Sequence, residues 1–176
     1  TVKNKIKFIE KDMIISDKYY LYAYNDNYTT SSYIYKLLLN HEFIYNTELK
    51  LPPCRMEKLG NVILDGSHNM SGILKIKETW KKQNISAVIF TVTNDRNIEN
   101  TAEILKQVSH NLIVTTLPDN IRSIKEYSKN DIVFIQSPVE AIIYAKNHFT
   151  VTILVTGSFY LCAYIKEYLN GSRNEI

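Results

Sequence analysis

The sequence predicts an α/β protein, a Rossmann-like three-layer sandwich built on a mostly parallel sheet. Three observations predict it. From about residue 61 onward, short runs rich in Val and Ile alternate regularly with segments of helical periodicity, which means right-handed βαβ crossovers between parallel strands. Ile132-Val133-Phe134-Ile135 and Val151-Thr152-Ile153-Leu154-Val155 are nearly continuous apolar runs, as expected of strands covered on both faces. Finally, the run Asn61-Val62-Ile63-Leu64 stops abruptly in Asp65-Gly66-Ser67-His68-Asn69. Small and polar groups gathered where a buried strand ends are what the ligand-facing edge of an open α/β sheet presents.

Taken in order, residues 5–10 and 12–24 are rich in Ile, Phe and Tyr and read as two short antiparallel strands. Asn25-Asp26-Asn27 supplies turn and cap residues before Ser32–Leu39, where apolar positions recur at helical spacing. Two strands and a helix do not make a core. Residues 1–50 therefore read as the C-terminal end of a central α/β domain, or as an N-terminal extension packed on the second domain. Leu51-Pro52-Pro53 is the linker, because consecutive prolines fix φ and exclude both helix and central strand. The boundary falls near 50–54 and leaves 51–176 as the second domain. There the pattern gives strands at 61–65, 85–92, 111–116, 131–136 and 151–156. Helices are expected at 70–82, 98–109, 120–129, 138–147 and 159–169, one after each strand.

The chain has 176 residues and 45% hydrophobic content, enough for a proper core. Net charge is +3 from 21 basic and 18 acidic residues mixed along the whole length, which gives no case for nucleic acid. No apolar run approaches the roughly 18 residues of a membrane span, and no signal peptide opens the chain. Cys54 and Cys162 lie far apart in sequence and outside any metal-binding spacing, which fits a reducing, cytoplasmic setting and predicts no metal site in this chain. The chain starts at Thr1, and the expectation is a piece of a larger protein.

In a doubly wound sheet, ligands bind beyond the carboxyl ends of the strands, so the residues just after each strand are the candidates. Asp65 could accept hydrogen bonds from a ribose or organise a metal-bound phosphate, or serve as a turn residue. Gly66 after it would let the backbone turn and a ligand come close. His68 could donate to a phosphate or carboxylate, or simply start the next helix. Thr156-Gly157-Ser158 opens the last helix, where backbone N–H groups and the Ser158 hydroxyl suit a phosphate; the alternative is a serine cap beside a close-packing glycine. Arg55, at the entry to the second domain, can fork to phosphate oxygens. Asp95-Arg96 reads as a solvated pair in a loop. Neither a G-x-G-x-x-G fingerprint nor a G-x-x-x-x-G-K-[ST] phosphate loop occurs, and H-E-x-x-H and G-x-S-x-G are absent too.

Pro53-Cys54-Arg55-Met56-Glu57, Val62–Asn69 and Ile153–Tyr160, in that order, resemble the P-G-R-x-E, D-G-A-H-N-P and T-G-S-L-Y motifs of folylpolyglutamate synthase and dihydrofolate synthase, in the Mur ligase superfamily. Thr116-Leu117-Pro118 with Arg122-Ser123 also looks like a segment of that family, and Asn25–Leu39 is similar to the helix closing its central domain. Three motifs stand in register over about 110 residues. The chain departs from them with Cys54 for glycine, Ser67 for alanine and Met70 for proline.

The resemblance implies the C-terminal part of an ATP-dependent amide ligase that adds L-glutamate to a folate or dihydropteroate through an acyl phosphate. It implies ATP and Mg²⁺ as cofactors, with Arg55, Asp65, His68 and Ser158 toward ATP and with Asp65 and His68 catalytic. The phosphate loop and most metal ligands would come from an N-terminal ATPase domain, without which this stretch would be inactive. Alternatives are a non-catalytic nucleotide-binding or interaction domain that keeps the fold, and a fragment of a Mur-type cell-wall ligase.

Overall fold

The computed structural model describes residues 52–80, 84–93, 97–117, 124–129 and 131–171. All belong to one compact unit, Leu51–Ile176. The strands and helix expected within 1–50, the Asp95-Arg96 pair and the Arg122-Ser123 segment lie outside the described residues.

Six strands form one sheet among the described residues: β1 (Glu57–Leu59), β2 (Val62–Leu64), β3 (Ile85–Phe90), β4 (Leu112–Val114), β5 (Val133–Phe134) and β6 (Thr152–Thr156). Their spatial order is β1-β2-β6-β3-β4-β5. Every pairing is parallel except β1 with β2, a tight antiparallel hairpin turned by Gly60-Asn61. Gly60 sits at φ +61, a left-handed conformation open to glycine without steric cost. Because β6 enters between β2 and β3, the segments that follow β2 and β6 meet at one edge. That is the point where strand order reverses.

Four helices are described: α1 (Met70–Trp80), α2 (Ile98–Leu105), α3 (Pro138–His148) and α4 (Phe159–Leu169). Each begins on a side-chain cap. Asn69 Oδ1 accepts from Gly72 N at 2.8 Å, Asn97 Oδ1 from Asn100 N at 3.0 Å, Ser137 Oγ from Glu140 N at 3.3 Å and Ser158 Oγ from Tyr160 N at 3.1 Å.

Alternation along the strands sorts the core into two layers. Val62, Leu64, Ile89, Ile113, Ile153 and Val155 point to one face, where they pack with Ala141, Ile142 and Ala145 of α3 and Leu161, Cys162 and Ile165 of α4. Ile63, Val88, Phe90, Leu112, Val114 and Leu154 alternate to the other face and are equally buried. Helices α1 and α2, packed on each other, supply Ile73, Ile76, Trp80, Ala102 and Leu105 to that layer.

Three expectations change. The helix expected at 120–129 does not form across 124–129, which is irregular and ends in a bridge between Lys129 and Ile132. Lys125-Glu126, Ser128-Lys129 and Asn130-Asp131 interrupt the apolar face such a helix would need to bury. The stretch after the prolines is more than a linker, since Glu57–Leu59 adds the antiparallel edge strand. The remaining strands and helices are shorter than their sequence patterns, as at Leu112–Val114 and Ile98–Leu105, because terminal residues of each run turn away to cap or connect.

Candidate functional site

The site is built on two turns, one after β2 and one after β6, with the loop at 54–56 beside them. Asp65 is only 1% exposed. Its Oδ1 accepts from Ser67 N at 2.9 Å and its Oδ2 from Met56 N at 3.2 Å. One carboxylate thus closes the turn after β2 and ties that turn to the 54–56 loop. The backbone makes the same connection through Gly66 N, which donates to the Cys54 carbonyl at 2.7 Å.

The turns after β2 and β6 are joined as well. Ser67 O accepts from Gly157 N at 2.9 Å and from the Thr156 hydroxyl at 3.4 Å. The Gly157 N–H expected to face a phosphate is therefore spent inside the fold. Gly157 has φ +90, and a Cβ there would stand 2.1 Å from Thr91 O, so only glycine lets β6 pass this close to the end of β3. Thr91 is itself fully buried, its Oγ1 without a partner among the described residues. Ser158 is buried at 5% exposure and occupied as the α4 cap.

Gly66 serves a different purpose from the sharp turn its sequence position suggested. Its φ is not left-handed. The space its Cβ would fill is taken by the Phe159 ring, with Cδ1 2.2 Å from that position. Phe159, the first residue of α4, is the centre of the outward-facing cluster. The Arg55 guanidinium carbon lies 4.2 Å from the centroid of its ring, a cation–π contact. The exposed His68 ring is tilted against the same phenyl with centroids 5.6 Å apart.

His68 Nδ1 lies 3.0 Å from the Gly66 carbonyl. A carbonyl only accepts, so Nδ1 carries the proton in that contact and Nε2 is the nitrogen left for proton exchange. On the α1–α2 side of His68 a cavity of about 240 Å³ runs between Met70, Ile73, Val92, Asn97 and Thr101 up to Gly157.

The loop carrying Arg55 is conformationally costly. Cys54 and Met56, on either side of it, have φ +57 and +50, where non-glycine residues are disfavoured by about 1–2 kcal/mol each. Glu57 Oε2 accepts from Cys54 N at 2.9 Å, and Glu57 Oε1 lies 2.6 Å from Lys166 Nζ on α4. Burial works to raise the Glu57 carboxyl, but the Cys54 N–H and the Lys166 ammonium outweigh it and leave the group below its ordinary value.

Cys54 and Cys162, distant in sequence, are in hydrogen-bonding contact inside the core. That contact holds Cys54 below its usual thiol range, while burial pushes Cys162 well above it and makes it chemically inert. Among the described residues no three His, Cys, Asp or Glu side chains gather closely enough to hold a metal ion.

The structure therefore brings Arg55, Asp65, His68 and Ser158 to one edge, with Arg55 and His68 outward and Asp65 and Ser158 behind them. Sequence reasoning missed Phe159, Glu57 and Lys166. The exchange of leucine for phenylalanine in the T-G-S-L-Y motif was the available signal for the first; nothing in the sequence signalled that Lys166 would reach Glu57.

No protein-family model matches the chain and no curated protein matches it. Solved structures do. Folylpolyglutamate synthase from Mycobacterium tuberculosis, complexed with ADP and AMPPCP, matches with TM-score 0.58 at 18% identity, over 72% of this chain and 34% of that one. The Thermotoga maritima enzyme matches with TM-score 0.56 at 23% identity, over 71% and 32%. E. coli FolC, in complex with DHPP and ADP, matches with TM-score 0.59 at 21% identity, over 70% and 33%. The chain spans about a third of the length of the structures it matches. What it shares with folylpolyglutamate synthases of several species is the fold, the α/β sandwich on which this edge is built.

Proposed function

We propose that the chain is the C-terminal part of an ATP-dependent ligase that joins L-glutamate to a folate or to dihydropteroate. The observation that carries this reading is the pairing of Arg55 and His68 on one aromatic ring at the switch-point edge. A permanent cation and an imidazole converge there on the start of a helix, whose N-terminus also favours negative charge. The arrangement fits one flank of a nucleotide's phosphates. It is an open surface, which suits a domain that completes a site shared with another. Structures with this fold contain ADP and, in the E. coli case, DHPP.

In this reading the substrate carboxylate takes the γ-phosphoryl group of ATP, and the glutamate amine then attacks the acyl carbon and releases phosphate. Such chemistry depends on positioning and on stabilising charge. Arg55 offers its planar donors to phosphate oxygens, and His68 Nε2 holds or passes a proton at the same edge. Asp65, buried and bonded to two backbone N–H groups, acts through them by fixing the loop and turn that carry Arg55 and His68. Ser158 fixes the start of α4. The described residues do not form a Mg²⁺ site, and no phosphate-loop motif occurs in the 176 residues. We assign both to another part of the ligase.

The test is ATP- and Mg²⁺-dependent incorporation of labelled glutamate into a folate by the full-length protein, beside its His68→Ala variant. Turnover that falls at least about tenfold in the variant supports the reading, in the range that loss of a proton-transfer group produces. Absence of glutamate incorporation by the unaltered protein overturns it.

A further inference from the structure

The loop that carries Arg55 lies along a single stripe of α4. Phe159, Cys162 and Lys166 are spaced i, i+3 and i+7, so they share one helix face over two turns. Each meets a different residue of the loop. Phe159 lies under the Arg55 guanidinium, Cys162 contacts the Cys54 thiol, and Lys166 pairs with Glu57. Glu57 spends its other oxygen on the Cys54 N–H, at the very residue whose left-handed φ starts the loop.

We propose that Glu57 and Lys166 are positioning residues for Arg55, and that the Phe159–Cys162–Lys166 stripe is the template against which the loop takes its shape. The inference rests on the nucleotide reading above for what Arg55 binds. It adds the assignment of a device, on the far side of the loop from any ligand, that sets where the guanidinium stands. Three features require such a device. Two non-glycine residues are held at positive φ within three positions. The arginine between them has a long flexible side chain that binds well only when pre-organised. Both oxygens of Glu57 are committed, one to the backbone of the loop and one to the helix, so the ion pair transmits the position of α4 to Cys54. A surface ion pair of no consequence would leave the second oxygen to water.

The ion pair is half-buried, with side chains 27% and 24% exposed, so a lysine variant should fold. The experiment compares full-length Lys166→Met with the conservative Lys166→Arg, using two readouts: hydrogen exchange of the peptide 53–59, and titration with ADP. In Lys166→Met, exchange of the 53–59 amides should quicken and ADP affinity should weaken, each by about fivefold, the factor one net hydrogen bond corresponds to. Exchange in peptides from β3 and β4 should not change. Lys166→Arg should restore both.

Unchanged exchange in 53–59 of Lys166→Met overturns the proposal whatever the nucleotide does. Faster exchange with unchanged ADP affinity also overturns it, since the pair would then hold the loop without positioning Arg55. An unaltered protein that binds no ADP overturns the nucleotide reading instead, and the exchange arm still decides whether the stripe shapes the loop.

Discussion

Replacing Gly66 by alanine tests the packing on which the site rests. The backbone there needs no left-handed φ, so the substitution carries no conformational strain of its own. Its entire effect comes from one methyl group. The ideal Cβ falls 2.2, 2.5 and 2.6 Å from Cδ1, Cε1 and Cγ of Phe159, where carbon atoms settle at about 3.5–4.0 Å. The ring must therefore retreat by more than about 1 Å, and overpacking of this kind costs about 1–3 kcal/mol. The retreat also pulls the phenyl from beneath Arg55 and away from His68, losing about 0.5–1 kcal/mol of cation–π energy. For a chain of this size the sum corresponds to a melting temperature lower by about 4–10 °C. Thermal unfolding of Gly66→Ala, Phe159→Ala and the double variant measures it. With the ring already removed, the added methyl has nothing to strike, so the double variant should melt close to Phe159→Ala alone. Additive losses would refute the reasoning, because they would mean that Phe159 is not what makes glycine necessary at 66.

Three further outcomes rest on the same geometry. Gly157→Ala combines φ +90 with a Cβ 2.1 Å from Thr91 O, a backbone atom that cannot swing aside, and should cost about 3 kcal/mol or more in chemical denaturation. Asp65→Ala leaves the Met56 and Ser67 N–H groups buried without their acceptor and should destabilise by about 2–5 kcal/mol. His68→Ala, at an exposed ring with one local bond, should change stability by less than about 0.5 kcal/mol while removing turnover. The Glu57 carboxyl lies below its ordinary value of 4.5, so its contribution is fully present above that pH and is lost as pH falls through the lower folded value. The difference in urea midpoint between the unaltered protein and Glu57→Gln should accordingly close as pH drops below 4.5.

The parts of the fold legible in the sequence were those written in periodicity. Val62–Leu64, Ile85–Phe90 and Thr152–Thr156 are continuous apolar runs because both faces of each strand are buried, and the polar residues that end them mark the edge where strand order reverses. The hairpin at Glu57–Leu59 was hidden by its three-residue length, too short for alternation to show. Gly60-Asn61 between two apolar positions was its only local signal. The helix expected across 124–129 shows the opposite failure, where residues of acceptable helix propensity had no apolar face to bury and the chain stayed irregular.

At the site, residue identity was legible and residue role was not. Asp65 and Ser158 stand where a ligand-binding reading put them, yet their hydrogen-bonding groups turn inward to backbone N–H donors. Sequence order cannot tell a carboxylate that meets a phosphate from one that holds the loop beside it. Likewise Cys54 and Cys162 are separated by most of the second domain in sequence and touch in the core, because β6 returns to the middle of the sheet and brings α4 against the first hairpin.

The most direct test of the central claim follows one oxygen atom. A folate or dihydropteroate whose reacting carboxylate is labelled with ¹⁸O, turned over by the full-length protein with ATP and glutamate, gives phosphate that is analysed by ³¹P nuclear magnetic resonance. If the carboxylate takes the γ-phosphoryl group before the amine attacks, each phosphate released carries one ¹⁸O from the substrate, and the yield of labelled phosphate matches the yield of amide. Amide formed with unlabelled phosphate, or ATP cleaved with no transfer of label, would contradict the account.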